Sequence, residues 1–246
     1  MALKEELEKQ GSWLFKYRSV LPVGILVIGL IVSVQTSLMK TASNCTFYYE
    51  LSCLWVSLLG LGIRAYTVGY TPKNTSGRNT SEGQVVDTLN TTGIYSIVRN
   101  PLYLGNFFMW LGPAMFTENL WFIVAFILFY WIYYERIIYA EEQFLEKKFG
   151  KKYRIWASKV PVFIPNLKLF IKNKLSFSIK KVLKKEKNGL FAMFLVFMVF
   201  DLLGEWMKNH SDYNLWFIYG TVVTMFIYII LKIMKMKTTY LENERS

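Results

Sequence analysis

Long apolar runs alternate with polar segments along this chain. Six runs consist mainly of hydrophobic residues. They are Leu21–Leu38, Phe47–Val68, Leu102–Phe116, Leu120–Tyr134, Gly189–Met207 and Leu215–Ile233. A helix needs about 20 predominantly apolar residues to cross the hydrocarbon region of a bilayer, and the first, second, fifth and sixth runs meet that length. The third and fourth runs are shorter and almost adjacent, so they predict a helical hairpin that either spans with the help of flanking residues or enters part way.

The pattern predicts an all-α fold, a polytopic transmembrane helical bundle of about six helices. The composition supports this prediction, because 53% of the 246 residues are hydrophobic and 17% are aromatic. An ordinary soluble domain has about 45–50% apolar residues, and a disordered chain has fewer. Two cysteines and a single histidine, His210, argue against a disulfide scaffold and against a Cys/His zinc centre. We therefore expect no metal site.

Positive charge is concentrated in one segment. Arg136–Lys187 contains 15 Lys plus Arg and 4 Glu, which gives +11 of the total +12. Cytoplasmic loops of membrane proteins carry an excess of Lys and Arg, so this segment is predicted to be cytoplasmic. With six crossings, both termini would then be cytoplasmic as well. The segment is expected to contact anionic membrane lipids, and without a folded basic domain bearing base-stacking aromatics we expect no nucleic-acid binding.

A first candidate site lies where a polar stretch meets the third apolar run. Gly93 permits a turn, and Arg99, Asn100 and Pro101 precede the run. Proline suits the first helical turn and asparagine is a good N-cap. Two interpretations follow. The segment is either a capped interfacial helix start whose arginine reaches the lipid headgroups, or an anion site at a helix N-terminus.

A second candidate site follows the fourth apolar run. If the helix continues past Tyr134, then Glu135, Tyr139 and Glu142 share one face by their i, i+4, i+7 spacing. Glu141 and Glu142 would lie at the bilayer boundary, where topology does not require a pair of acids. They are either a solvated helix extension or a site for a cationic group under low dielectric.

At these two stretches the chain resembles the integral membrane methyltransferases typified by isoprenylcysteine carboxyl methyltransferase, with phospholipid methyltransferases as relatives. The family pattern is Gly-x-Tyr, Arg-His-Pro-x-Tyr-x-Gly, a membrane hairpin, Glu-Glu, Phe-Gly-x-x-Tyr and Val-Pro-x-x-x-Pro. The matching residues here are Gly93, Tyr95, Arg99, Pro101, Tyr103, Gly105, Glu141, Glu142, Phe149, Gly150, Tyr153, Val160, Pro161 and Pro165, and Arg64 upstream is also family-like. Asn100 stands where the family has histidine. Asparagine can donate and accept hydrogen bonds, but it cannot titrate near neutral pH.

The resemblance implies an enzyme that uses S-adenosylmethionine as cofactor in a pocket at the cytoplasmic face. It also implies a lipophilic substrate that enters from the bilayer. Arg99 and Arg136 would orient an anionic substrate head. The residues implied for the cofactor pocket are Thr88, Leu89, Tyr95, Asn100, Pro101, Leu102, Tyr103, Glu141 and Glu142.

The resemblance also suggests a division of the chain. Residues 1–46 would form an N-terminal segment with the first membrane helix, 47–165 the methyltransferase core, 166–188 a basic cytoplasmic linker and 189–246 a two-helix membrane extension. Because every motif residue lies before position 166, deletion of residues 189–246 is expected to leave cofactor binding largely intact. Asp201, inside the fifth apolar run, is either functional or engaged in helix packing.

Several alternatives stay open from the sequence. The methyl acceptor could be an isoprenylcysteine-like carboxylate (O-methylation), a phospholipid amine or another lipid. A membrane reductase of related architecture and a non-catalytic membrane scaffold are rival functions. The oligomeric state is not predicted.

Overall fold

The structure, a computed structural model, describes residues 3–18, 21–39, 47–72, 78–80, 83–207 and 213–237. Each of the six apolar runs forms a helix, which confirms the predicted helical bundle. The helices in these ranges are α1 (Leu3–Lys16), α2 (Leu21–Met39), α3 (Phe47–Tyr70), α4 (Pro101–Phe116), α5 (Leu120–Phe149), α6 (Lys151–Ala157), α7 (Ile179–Met207) and α8 (Leu215–Lys237). Two three-residue strands, β1 (Arg78–Thr80) and β2 (Gly83–Val85), pair antiparallel between α3 and α4.

Five of these helices are long and apolar enough to cross a membrane, namely α2, α3, α5, α7 and α8. Five helices of this kind are typical of an integral multi-pass membrane protein. Helix α4 has 16 residues and forms the predicted hairpin with α5. Asn119 is the N-cap of α5, and its side chain accepts a hydrogen bond from the Phe122 amide at 3.0 Å.

Helix α5 continues well beyond the fourth apolar run. Its 30 residues correspond to about 45 Å at 1.5 Å per residue, against about 30 Å for the hydrocarbon region. The last third of the helix therefore extends past the hydrocarbon, and this part carries Glu141 and Glu142. The continuation that the second candidate site requires is thus present.

Helix α7 begins ten residues before the fifth apolar run, so the second half of the predicted basic linker is helical. This start is fixed by contacts with the end of α3. The Ser178 amide donates to the Gly69 carbonyl at 3.0 Å, and Lys181 Nζ donates to the carbonyls of Thr71 and Pro72 at 2.6 and 3.0 Å. The helix begins inside the predicted linker because lysine and glutamate are good helix formers and tertiary contacts anchor the first turn.

Helices α7 and α8 are packed into the bundle rather than appended to it. Phe197 of α7 and Phe217 of α8 form one buried cluster with Cys53 of α3. Asp201 is also buried, and its Oδ2 accepts a hydrogen bond from the Asn214 amide at 2.8 Å, just before α8 begins. Of the two interpretations of this acid, the structure therefore supports a role in helix packing.

Helix α1 was not predicted by hydropathy, because it is rich in charge. It packs against the extended part of α5. A Cβ atom at Gly11 would overlap the carbonyl oxygen of Arg136 and lie 2.8 Å from Cβ of Ala140. Glycine therefore permits the close approach, and an ion pair between Glu8 and Lys147 at 2.6 Å supports it.

Candidate functional site

A cavity of about 460 Å³ opens between α3, α4, α5, α6 and the first turns of α7. Its walls combine arginine, acidic and aromatic side chains. The lining residues are Arg18, Arg64, Val68, Val86, Tyr95, Arg99, Asn100, Pro101, Leu102, Tyr103, Asn106, Tyr134, Glu141, Glu142, Phe144, Leu145, Tyr153, Trp156, Lys185 and Glu186.

The cavity brings together the two candidate sites from the sequence. The predicted residues that line it are Tyr95, Arg99, Asn100, Pro101, Leu102, Tyr103, Glu141 and Glu142. Three other predicted residues are not among the described lining residues. Thr88 is exposed and Leu89 is half-buried in the polar connection before Gly93. Arg136 donates to Gln10 Oε1 and to the Ile132 carbonyl, both at 3.1 Å, so it joins α5 to α1 and does not face the cavity.

The stretch before α4 is held in place by backbone hydrogen bonds to the segment after α6. The Arg99 amide donates to the Pro161 carbonyl at 2.9 Å, and the Asn166 amide donates to the Ile97 carbonyl at 2.9 Å. Trp156 Nε1 donates to the Tyr95 carbonyl at 3.0 Å. The Gly-x-Tyr and Val-Pro motifs are thus two sides of one structure that positions Tyr95 and Arg99 at the cavity.

Gly93 makes this arrangement possible. Its φ of 61° lies in the left-handed region, which disfavours other residues. Its amide donates to the Ile171 carbonyl at 2.8 Å, and a Cβ atom there would overlap the Asn173 side chain. A side chain at this position would displace the segment that leads to Tyr95.

Asn100 occupies the N-cap position of α4 and Pro101 follows as the first helical residue, as predicted. The asparagine side chain, however, makes no capping hydrogen bond. Its Nδ2 donates to the Val162 carbonyl at 3.4 Å instead. The capping interpretation was therefore wrong for the side chain, because its amide group is turned toward the Val162 carbonyl in the chain after α6.

Arg99 and Glu142 form an ion pair between the two candidate sites. Arg99 Nη1 lies 3.0 Å from Glu142 Oε1, and the side chains are 15% and 23% exposed. Arg99 Nε and the Tyr153 hydroxyl are buried without a hydrogen-bond partner among the described residues. Buried polar groups normally have partners, so unpaired groups beside a cavity are places where a ligand can bind.

Two tyrosine hydroxyls at the cavity stay protonated at neutral pH. Burial raises the pKa of Tyr95, and the charge of Glu141 raises it further. Burial also raises the pKa of Tyr153, with Glu142 adding to the effect. Desolvation disfavours the phenolate, so both groups are available as neutral hydrogen-bond donors.

Arg64 reaches the cavity from α3 and is fixed by two partners. Its Nε and Nη2 donate to Glu186 Oε2 and Oε1 at 2.8 and 2.9 Å, and its Nη1 donates to Asn106 Oδ1 at 2.5 Å. Sequence reasoning missed Glu186. One signal existed, since Glu186 is the only acid between Glu146 and Asp201, within a strongly basic segment.

The side chains that line the cavity suit an organic ligand that carries both a positive and a negative group. Carboxylates can hold an ammonium group, guanidinium groups can hold a carboxylate, and tyrosine and tryptophan rings offer flat apolar surfaces. Among the described residues there is no group of three or more His, Cys, Asp or Glu side chains that could hold a metal ion.

Comparison with known proteins identifies the central part of the chain. Residues 53–152 match the family model described as phospholipid methyltransferase. This segment, 100 of the 246 residues, is similar to the phospholipid methyltransferase family. The matched segment runs from α3 to the start of α6 and includes Arg99, Glu141 and Glu142.

The curated relatives extend the family match. The chain is 34% identical over 118 residues to a protein-S-isoprenylcysteine O-methyltransferase of Schizosaccharomyces pombe, covering 48% of this chain and 50% of that protein. It is 30% identical over 131 residues to the Xenopus laevis protein of the same name, covering 50% and 46%. A nickel-cobalt-cadmium resistance protein, NccN, of Alcaligenes xylosoxydans xylosoxydans is 33% identical over 112 residues, covering 45% and 49%.

The chain spans about half the length of the curated relatives that it matches. No solved structure matches it. Several cavity residues lie outside the phospholipid methyltransferase segment, namely Arg18, Tyr153, Trp156, Lys185 and Glu186. The site of this chain is therefore built from the family segment together with α6 and elements from both flanks.

Proposed function

We propose that this protein is an S-adenosylmethionine-dependent methyltransferase that modifies a lipophilic substrate at the interface between membrane and cytoplasm. The observation that carries the proposal is the cavity itself. It gathers Arg99, Tyr103, Glu141 and Glu142 from two separate stretches of the segment that matches a methyltransferase family model.

The cavity residues fit the proposed cofactor. When bound, it supplies an electrophilic methyl group on a sulfonium centre. The carboxylates of Glu141 and Glu142 fit its ammonium group, and a carboxylate–ammonium hydrogen bond contributes about 1.5–3 kcal/mol. The neutral rings of Tyr95, Tyr103 and Trp156 offer surfaces for the adenosine portion.

For methyl transfer, the main task of the protein is to position the reacting groups. The methyl group is already activated, so the protein must hold the acceptor atom in line with it and keep water away. Orientation of this kind can lower a barrier by about 7–11 kcal/mol. Arg99 is the residue that we propose to orient the substrate head, because its Nε is unpaired beside the cavity. Arg136 has no part in this proposal, since its guanidinium group is engaged with α1 and with its own helix.

The charge of the cavity favours an anionic acceptor over an amine. Four basic side chains line it against three acids, an excess of one positive charge, and guanidinium groups recognise a carboxylate well. The charged lining residues are Arg18, Arg64, Arg99, Lys185, Glu141, Glu142 and Glu186. An isoprenylcysteine-like carboxylate, methylated on oxygen, is therefore our proposed substrate class. The aromatic cluster of Phe126, Tyr130 and Tyr134 adjoins the cavity and offers an apolar surface for the lipid portion.

The proposal is tested with the purified full chain in detergent micelles or lipid nanodiscs. Isothermal titration calorimetry should detect binding of S-adenosylhomocysteine and no binding of NADPH. Incubation with labelled S-adenosylmethionine should label an N-acetylated S-prenylcysteine, whereas a phosphatidylethanolamine stays unlabelled. If only the phospholipid is labelled, the acceptor is a lipid amine and not a carboxylate. Binding of NADPH would favour a reductase. Failure to bind either cofactor would favour a non-catalytic scaffold.

A further inference from the structure

The N-terminal helix reaches the site although it lies outside the family segment. Arg18 follows α1 directly and lines the cavity beside residues of α4 and α5. The family match begins at residue 53, so no family motif assigns a role to this arginine. Its position depends on how α1 is fixed to α5.

Three contacts fix α1. Phe15 is 3% exposed and packs in the same cluster as Tyr134. Gly11 lets the helix lie directly on the backbone of Arg136, where a Cβ atom would overlap the carbonyl oxygen. Gln10 accepts a hydrogen bond from Arg136 Nε at 3.1 Å. The end of α1 therefore has a defined place at the rim of the cavity.

The guanidinium group of Arg18 is held at the Glu141 side of this rim. Its central carbon lies 3.9 Å from the centroid of the Phe15 ring, a cation–π arrangement. Its charge acts on the carboxylate of Glu141 and on the hydroxyl of Tyr103. Of the three cavity arginines, Arg18 is the one whose charge acts on Glu141, whereas Arg99 is paired with Glu142 and Arg64 with Glu186.

A guanidinium group and a carboxylate on one wall form a recognition pair for an α-amino acid. The ammonium of such a ligand faces the acid, and its carboxylate faces the arginine. We propose that Arg18 binds the carboxylate of the amino acid portion of the cofactor while Glu141 binds its ammonium. This inference rests on the proposed function and adds to it a binding residue from outside the family segment.

The test compares two ligands that differ by one group. S-adenosylhomocysteine has the carboxylate, and its decarboxylated analogue keeps the ammonium and lacks only the carboxylate. Isothermal titration calorimetry on the full chain should show that Arg18→Ala weakens S-adenosylhomocysteine binding by about ten- to a hundredfold, as expected for a charge-assisted bond. The same variant should change the affinity of the analogue by less than about threefold. Lys16→Ala, which removes a charge two residues away on α1, should leave both affinities unchanged.

A second variant tests the path through α1. Gly11→Ala should push α1 away from Arg136 and selectively weaken S-adenosylhomocysteine binding, whereas Gly24→Ala should have no effect, because nothing lies within 4 Å of a Cβ atom at Gly24. An equal loss for both ligands in Arg18→Ala would overturn the inference, since it would reveal a structural role. Unchanged affinities, or the selective loss appearing in Arg99→Ala instead, would also overturn it. If the unaltered protein binds neither ligand, the proposed function fails and this inference fails with it.

Discussion

The guanidinium group of Arg64 makes two hydrogen bonds to the carboxylate of Glu186, at 2.8 and 2.9 Å, and thereby joins α3 to α7 at the wall of the cavity. Glu186 is only 6% exposed. A buried ion pair of this kind is expensive to break from one side, because the remaining charge loses its partner in a desolvated position.

We therefore expect Glu186→Ala to destabilise the protein by about 3–5 kcal/mol, the range observed when one partner of a buried pair is removed. Thermal unfolding in detergent would show this as a lower Tm. Glu146→Ala is the matched control, since Glu146 pairs with Arg154 at 3.4 Å and both side chains are exposed. An exposed pair contributes about 0–1 kcal/mol. Equal Tm values for the two variants would mean that the Arg64 contact does not stabilise the bundle.

The same contact changes the expectation for the C-terminal helices. The sequence suggested that residues 189–246 could be deleted without loss of cofactor binding. In the structure, Phe197 and Phe217 from this region are buried against α3, and the helix that carries Glu186 continues into it. Deletion would remove the support of one cavity wall, so the deletion cannot be expected to leave the site intact.

The acid pair provides the most direct test of the site. Glu141→Gln and Glu142→Gln should each weaken S-adenosylhomocysteine binding by about ten- to a hundredfold, because each loses a charge-assisted hydrogen bond to the ammonium group. Tyr103→Phe should have a smaller effect in the same direction. Calorimetry measures these affinities, and Glu135→Gln, an exposed position on the same helix, is the control.

Arg99→Ala should behave differently from the acid variants. Its loss should appear mainly in kcat, because we assign Arg99 to the orientation of the acceptor. If both acid variants bind S-adenosylhomocysteine as tightly as the unaltered protein, the acids are a solvated helix extension and the assignment of the site is wrong.

Asn100 offers a test of the departure from the family pattern. Its side chain donates to the Val162 carbonyl, and a neutral hydrogen bond contributes about 0.5–1.5 kcal/mol. Asn100→Ala should therefore weaken cofactor binding by about two- to tenfold, through a looser segment after α6. Asn100→His can still donate and should stay within about threefold of the unaltered protein. A histidine variant that binds as poorly as the alanine variant would show that the hydrogen bond to Val162 does not matter.

The predicted orientation needs its own measurement. A Lys172→Cys probe should react with membrane-impermeant reagents only from the cytoplasmic side, because the +11 segment should lie there. Cys53 is buried, and the second cysteine of the chain, Cys45, is replaced by serine so that the probe at position 172 is the thiol that is labelled. Labelling of this probe from outside intact cells would show that the bundle has the opposite orientation to the one predicted.

The sequence predicted what depends on local pattern. Apolar runs such as Leu215–Ile233 define membrane helices by length alone, and the acid pair at Glu141 and Glu142 was noticeable because topology does not require it. Helix α1 was missed, because its apolar residues are few and its burial comes from α5. The partnership of Arg64 with Glu186 joins residues 122 positions apart, and no local periodicity encodes such a contact.

Arg136 is a second case in which a tertiary contact could not be predicted from the local sequence. The resemblance suggested that it orients the head group of the substrate. The structure fills the space beside it with α1, so its donors are used by Gln10 and the Ile132 carbonyl. Whether a helix face borders a cavity or another helix is decided by tertiary packing.

The backbone pairing of Arg99 with Pro161 and of Ile97 with Asn166 also constrains how the chain enters the membrane. Backbone groups on the two sides can meet only if the α4–α5 hairpin returns the chain to the face from which it left. The two ends of the hairpin therefore lie on the same side of the bundle. During synthesis, residues 93–100 have no partners for these hydrogen bonds until the chain beyond Asn166 has emerged, so the mouth of the cavity is completed only after α6 has formed.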